Sequence, residues 1–145
     1  MNHSPAYIIS RYLIDQGLVV APSDSGSWPI FVGCLPDGPE TPSNAVGCMD
    51  TAPSRDGRIM GGSPFFHYGV QLLLRATDYN TGYSKIASLV SSLDQADSVE
   101  VAVDSEGYTI ENASQTTGII PLGQEEGTKR RYLFSANFLV TIKEE

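Results

Sequence analysis

Apolar residues recur at helical spacing near the start of the chain. Ser4 is a favoured N-cap residue, Pro5 suits the first helical position, and Gly17 is a favoured C′ residue. These signals predict a first helix from Pro5 to Gln16. The apolar stripe that we expect to face the core consists of Ala6, Ile9 and Leu13.

A second helical pattern follows Asp78 and Asn80, either of which is suited to cap a helix. Its apolar stripe lies opposite a face of serines and one lysine, which is typical of an amphipathic helix. We therefore expect this helix to pack its stripe on a sheet. The stripe consists of Tyr83, Ile86, Leu89, Val90 and Leu93.

Alternation of apolar and polar residues with a period of two predicts the strands. The longest pattern runs from Phe65 to Thr77 and has apolar residues on parts of both faces, which predicts a central strand. The last strand is predicted from Arg130 to Lys143. Valines alternate over residues 99–103, Asp104–Gly107 forms a turn, and Tyr108–Glu111 returns. That arrangement predicts a hairpin.

Two shorter patterns precede the central strand. Alternation over Trp28–Cys34 ends in a proline-rich loop, Pro36–Asn44, and Val46–Asp50 suggests a returning strand. If the two strands form a hairpin, Cys34 lies opposite Cys48. Two cysteines make neither a disulfide framework nor a metal motif, so we interpret them as small buried thiols. Whether they pair is left open.

The order helix, strands, helix, strands predicts the fold class. It is typical of an α+β domain with a mixed, mostly antiparallel β-sheet and two main helices packed on one side. The length of 145 residues and the hydrophobic fraction of 41% suit one folded domain over residues 1–145.

The segment Thr51–Pro64 is poor in burial signals and rich in glycine, proline and charge. We predict a loop there that is mobile in the free subunit and ordered by an assembly partner. Plain flexibility is the alternative. The residues that suggest a partner are Arg55, Asp56, Arg58, Ile59 and Met60.

The formal net charge is -8, and the basic residues cluster only at Lys129, Arg130 and Arg131. Proteins that grip nucleic acid neutralise phosphates with a basic face, so sequence-specific DNA binding is disfavoured. An acidic surface can still face DNA that passes by. Neither a membrane helix nor a secretory signal is visible, and synthesis in a cytoplasm is the expectation.

The charged segment "GQEEGTKRR" at residues 123–131 raises the question of a catalytic or phosphate site. Glu125 and Glu126 lie between glycines, where solvation opposes the pKa separation that a catalytic pair needs. A phosphate loop precedes a helix, whereas this segment precedes a strand. His67 stands in the central strand without the motifs of a triad or a metal site. We predict no catalytic, cofactor or metal residues and interpret the segment as a charged turn.

Three stretches resemble the tail terminator proteins of long-tailed bacteriophages, which are also described as minor capsid or tail-completion proteins. The first is the early helix "AYIISRYLIDQGL", and the second is the strand-to-helix passage "YGVQLLLRATDYNTGYSKIASLVSSL". The third is the close "GIIPLGQEEGTKRRYLFSANFLVTI". Their order along the chain carries the resemblance. The segment "QEEGTKRR" departs from the family pattern because it is longer and more charged.

The resemblance implies a structural virion protein of the tail neck, assembled in host cytoplasm, and no enzyme. It implies a ring, commonly hexameric, that caps the head-proximal end of the tail tube and stops tube polymerisation. The implied partners are other copies of the chain, the major tail tube protein and a head-completion or connector protein. DNA would pass through the lumen without sequence-specific binding.

Two alternatives remain beside the tail terminator. One is a head-side connector or adaptor bound to the portal complex, and the other is a small enzyme that acts through His67 and the loop Thr51–Pro64. Under the assembly hypotheses, two charged segments are candidates for subunit contacts. The other interpretation of the basic triplet is a solvated entrance to the last strand. The candidate interface residues are Arg55, Asp56, Arg58, Ile59, Met60, Glu125, Glu126, Lys129, Arg130 and Arg131.

Overall fold

A computed structural model describes residues 1–38, 40–58, 64–126 and 130–144, with the backbone alone for 54–58 and 64–66. The described residues form two helices and one mixed, mostly antiparallel sheet of seven strands, which confirms the predicted α+β class. In chain order the elements are α1 (Pro5–Asp15), β1 (Ile30–Val32), β2 (Ala45–Arg58), β3 (Pro64–Ala76), α2 (Tyr79–Asp94), β4 (Asp97–Val103), β5 (Glu106–Gln115), β6 (Ile120–Gln124) and β7 (Tyr132–Glu144).

Helix α1 begins and ends where its sequence signals predict. The Ser4 side chain accepts a hydrogen bond from the Tyr7 backbone N–H, and the carboxylate of Asp50 in β2 accepts another from Ala6. Both bonds satisfy N–H groups that a helix start leaves without partners. At the other end Gly17 adopts a φ of 76°, and Leu18 N–H bonds to the Leu13 carbonyl. This is the Schellman geometry, in which glycine avoids the Cβ strain of a left-handed residue.

Helix α2 is capped by Asp78, one of the two predicted caps. Its carboxylate accepts hydrogen bonds from the Thr81 backbone N–H and the Thr81 hydroxyl, both at 2.9 Å. These two bonds, the backbone one first, lower the pKa of Asp78. Of the predicted stripe, Ile86, Leu89, Val90 and Leu93 are buried, whereas Tyr83 is exposed.

Loss of the Asp78 carboxylate should lower the melting temperature by a few degrees at neutral pH, because the first turn of α2 loses its cap. Since the folded pKa is depressed, this stabilisation is present above the ordinary carboxyl pKa and is lost as pH falls through the folded pKa. Melting curves of Asp78→Ala and Asp78→Asn between neutral pH and pH 2 check this. Asp78→Asn keeps a capping oxygen without a titrating charge. A wild-type pH profile that Asp78→Asn reproduces would contradict the assignment.

The sheet has the strand order β1-β2-β3-β7-β5-β4, and β6 pairs with β7 off this path. The two long strands β3 and β7 stand at its centre and pair antiparallel from Tyr68↔Val140 to Ala76↔Tyr132. On the other side of β7, β5 pairs with its C-terminal half as far as Gln115↔Phe138. β6 then pairs with the N-terminal half, from Ile120↔Ser135 to Gln124↔Tyr132.

Both helices pack on the same face of this sheet. The apolar residues that β3 and β7 direct to that face meet the buried stripes of α1 and α2 in one cluster, as the alternation predicts. The sheet contributes fully buried residues from its two central strands. They include Val70, Leu72, Leu74 and Ala76 from β3, with Phe134, Ala136, Phe138 and Val140 from β7.

Two sequence predictions about the first half of the sheet are wrong. β1 pairs with β2 in parallel, with Val32 opposite Cys48, so these strands form no hairpin. The predicted loop Thr51–Pro64 is wrong over its first part, because β2 continues to Arg58 and pairs with β3 as far as Arg58↔Pro64. Register shifts between Thr51 and Ser54 and again after Arg55 accommodate the irregular sequence. Among the described residues, no helix is long and apolar enough to cross a membrane.

Candidate assembly surfaces

The charged turn between β6 and β7 is held by contacts within the subunit. The Glu125 N–H donates to the Arg131 carbonyl at 2.8 Å, and the Arg131 Nε donates to the Glu125 carboxylate. Arg131 is only 2% exposed, so its charge is held by this ion pair within the subunit. Glu126 and Arg130 are exposed, whereas Lys129 lies outside the described residues. Of the predicted interface charges in this turn, Glu126 and Arg130 are therefore on the surface, and Glu125 and Arg131 are engaged internally.

Arg131 also holds the proline-rich loop that follows β1. Its guanidinium donates to the carbonyl of Gly38 at 3.2 Å and to that of Thr41 at 3.3 Å. The turn before β7 and the loop 36–44 are thus joined by one side chain. A contact that moved either segment would act on the other.

Arg75 at the end of β3 is a second buried guanidinium in the same cluster, and it is 1% exposed. It donates to the carbonyls of Pro36 and Pro42 and to the Thr41 hydroxyl. Sequence reasoning gave Arg75 no role. The available signal was a lone arginine among apolar residues in a buried strand, since buried arginines are normally paired.

The two guanidiniums repel one another. Burial, and after it the charge of Arg131, lower the pKa of Arg75, while Glu125 and Asp37 act in the opposite direction. The Nε of Arg75 has no hydrogen-bond partner among the described residues. The Glu125 carboxylate therefore offsets much of the positive charge of the two arginines. Its loss would leave two buried cations close together.

The second group of predicted interface residues lies at the other end of the sheet. The backbones of Arg55, Asp56 and Arg58 belong to the last part of β2, while Ile59 and Met60 lie outside the described residues. β7 runs from the charged turn towards that end over 13 residues, which is about 40 Å at the usual rise of a strand. The structure therefore does not bring the two charged groups together but places them at opposite ends.

Exposed apolar side chains gather beside the charged turn, a feature that sequence reasoning missed. Tyr79 and Tyr83 on α2 are exposed, and their rings lie 5.1 Å and 6.2 Å from the ring of Phe134. Next to Phe134 runs β6, whose Ile120 and Leu122 are 39% and 51% exposed. The signal was the uncharged run from Ile119 to Gly123 before the charged turn. Because Ile120 pairs with Ser135, it faces the side of the sheet away from Phe134, so exposed apolar residues lie on both sides of the sheet here.

His67, the residue proposed for an enzyme, occupies a structural position in β3. Its Nδ1 lies 3.0 Å from the hydroxyl of Thr141, a buried residue on β7. In the described part of the chain, no group of three or more His, Cys, Asp or Glu side chains is arranged to hold a metal ion. The printed contact of His67 is therefore one between the two central strands.

The two cysteines occupy different environments, so the interpretation as buried thiols is wrong for one of them. Cys34 is exposed and Cys48 is buried, and both are free. Burial, and secondarily the charge of Asp50, raise the pKa of the Cys48 thiol, which donates a hydrogen bond to the Ala6 carbonyl.

Folded protein should accordingly take up one equivalent of a thiol label such as iodoacetamide, at Cys34, because only that thiolate is accessible. In urea it should take up two. Mass spectrometry of labelled wild type and Cys34→Ala measures this difference. Labelling of folded Cys34→Ala as fast as in urea would show that Cys48 is not enclosed.

Comparison with known proteins identifies the family of the chain. Residues 12–144 match a family model described as bacteriophage tail terminator protein. The match covers the last turn of α1, all of α2 and all seven strands. A comparison with curated proteins finds no match. The family is one of structural phage tail proteins and is not an enzyme family.

Proposed function

Since the chain belongs to the bacteriophage tail terminator family, we propose that it forms a ring that caps the head-proximal end of the tail tube. The ring, hexameric in this proposal, stops tube polymerisation and offers a docking surface to head-completion proteins. The observation that carries the proposal is the family match over residues 12–144. The two separated charged ends of the domain support it.

The proposed mechanism is steric and requires no chemistry. A growing tube end exposes the groups that recruit the next ring of tube protein. A terminator subunit that docks there covers those groups, and the tube stops at the length set by the tape-measure protein. No catalytic residue takes part in this step.

A terminator must contact the tube on one side and the neck on the other. The charged turn, with Glu126 and Arg130 on its surface, lies at one end of the sheet, and the end of β2 with Arg55, Asp56 and Arg58 lies at the other. These two ends supply two separate contact surfaces for partners of different kinds. That both are assembly interfaces remains a prediction, as it does for Ile59, Met60 and Lys129.

The charge balance suits a ring through which DNA passes. The chain has a net charge of -8, so an acidic lumen would repel phosphate and leave the DNA free to slide. In this proposal the protein is made and assembled in host cytoplasm and remains in the neck region of the virion.

A head-side connector is the second candidate, because a ring with two contact surfaces would also suit the portal complex. Locating the protein by immunogold electron microscopy on headless tails and on tailless heads separates the two functions. If the protein is a terminator, gold particles mark the head-proximal tip of headless tails and are absent from tailless heads. Label on tailless heads alone would assign the protein to the connector.

A further inference from the structure

The outer side of β6 is an open strand edge. β6 pairs with β7 on one side, and no described strand pairs with its other side. All five of its residues are exposed and none is charged. Pro121 has no N–H to donate, and the register shifts between Pro121 and Gly123, so the edge offers few backbone donors. It lacks the charged side chains that most often prevent an edge from pairing with a further strand.

A second open edge lies on the far side of the sheet. β1 pairs with β2, and Val20 covers its outer side only at the start, where the Ile30 N–H donates to the Val20 carbonyl at 2.9 Å. Val32, at the end of β1, is 38% exposed. No charged residue occurs from Ser25 to Pro36, so the strand itself is uncharged, and the charge beside its start is the cation of Lys85, whose Nζ lies 5.7 Å from the centroid of the Trp28 ring.

The two edges stand at the same end of the sheet. β1 pairs with the start of β2, β3 ends beside it, and β6 pairs with the start of β7. At this end of the sheet the strand order is therefore β1-β2-β3-β7-β6. β5 does not reach it, because β5 pairs only with the later half of β7, from Phe138. Each subunit thus has two free strand edges on opposite sides of this end of the sheet, one at β1 and one at β6.

We propose that β6 of one subunit pairs with β1 of the next, so that the sheet continues from subunit to subunit around the ring. The proposal rests on the ring proposed above and names its lateral contact. β1 runs parallel to β2 and β6 runs antiparallel to β7. A rotation about an axis along the strands keeps each strand's direction, so β6 and the neighbour's β1 meet antiparallel. Such a head-to-tail contact closes into a ring if the rotation closes.

Charge favours a second copy of this chain as the occupant of these edges. Subunits with a net charge of -8 repel one another, so their contact belongs where acids are absent. The edge strand β4 carries Asp97 and Glu100 and is therefore a poor partner for another acidic subunit. The two uncharged edge strands also carry three of the seven exposed large apolar side chains in the described chain: Val32, Ile120 and Leu122. Two more, Tyr79 and Tyr83 on α2, pack against Phe134 of β7, the strand that pairs with β6.

Disulfide trapping on assembled tails tests this contact. The test variant combines Cys34→Ala with Val32→Cys on the β1 edge and Leu122→Cys on the β6 edge. It replaces the wild-type protein in the phage. Purified tails are oxidised and analysed by non-reducing electrophoresis. The matched control pairs Val32→Cys with Ala102→Cys, an exposed position on β4. Each single-cysteine variant is a further control, because it reports on like edges pairing with each other.

The expected result is a covalent ladder for the 32 and 122 pair that ends at one closed ring, with monomers for the β4 control. A ladder from the β4 control or dimers from one cysteine alone would overturn the proposed edge contact. A third outcome would also overturn it: tails of normal length in which maleimide labels the cysteines at both 32 and 122 but oxidation gives only monomers. This result would leave the proposed ring intact. Wild-type tails that lack this protein would overturn the proposed function itself.

Discussion

Replacing Glu125 with glutamine should lower the free energy of unfolding by about 3 kcal/mol, the low end for breaking a buried ion pair. The change leaves the buried guanidiniums of Arg131 and Arg75 near one another without the carboxylate that balances them. We also expect faster amide hydrogen exchange over residues 36–44, because Arg131 holds that loop through the carbonyls of Gly38 and Thr41. Urea unfolding followed by circular dichroism, together with exchange mass spectrometry, measures both effects.

Glu126→Gln is the matched control for that experiment. It makes the same chemical change one residue along the chain, at an exposed position, and should alter the free energy of unfolding by less than about 0.5 kcal/mol. If the two variants unfold at the same urea concentration, the ion pair between Glu125 and Arg131 does not hold the two segments together.

Replacing Gly82 with alanine should destabilise the protein, although the same change in an exposed helix interior gains about 1 kcal/mol. A Cβ at position 82 would stand 2.7 Å from Cε2 of Phe134 and 2.9 Å from Cβ of Ala76. Both neighbours are fully buried, so either α2 must lift from the sheet or the Phe134 ring must move. We expect the free energy of unfolding to fall by about 1–3 kcal/mol, as for other overpacked cores.

Ser84→Ala, two residues further along α2 on its exposed side, controls for helix propensity. It should be neutral or slightly stabilising, because alanine is the better helix former. Thermal and urea unfolding of both variants check the difference. A Gly82→Ala protein more stable than wild type would show that α2 does not approach β7 as closely as the structure indicates.

The parts of the fold that were predicted from sequence are those specified by local periodicity. The helix from Pro5 is observed with its cap at Ser4 and its stop at Gly17, because those signals lie within a few residues of one another. The central strand, the hairpin predicted over residues 99–111 and the last strand are observed for the same reason, although the structure extends the hairpin to residues 97–115. Alternating apolar residues can bury one face only as strands.

The parts that were missed depend on partners distant in sequence. Nothing in the alternation of residues 28–34 reveals whether β1 runs parallel or antiparallel to β2. The glycines, prolines and charges of Thr51–Pro64 indicated a loop, but pairing with β3 extends β2 as far as Arg58. Here tertiary pairing outweighs local preference, as it often does in sheets.

The same limit applies to the candidate surfaces. The charges of the turn were identified from sequence, but which of them reach solvent depends on the fold. Arg131 is buried because the loop 36–44 supplies carbonyls to it from about ninety residues away in the chain. Arg75 had no visible partner for the same reason. The apolar edge of β6 went unnoticed because an apolar run is also typical of a buried strand.

The length of tails made without this protein tests its proposed role most directly. Electron microscopy of particles from a phage with a null mutation in its gene should show tubes that extend beyond the wild-type length and lack heads. Supplying the wild-type protein should restore both the length and the attachment of heads. Null-mutant tails of normal length with heads attached would contradict a role in tail termination.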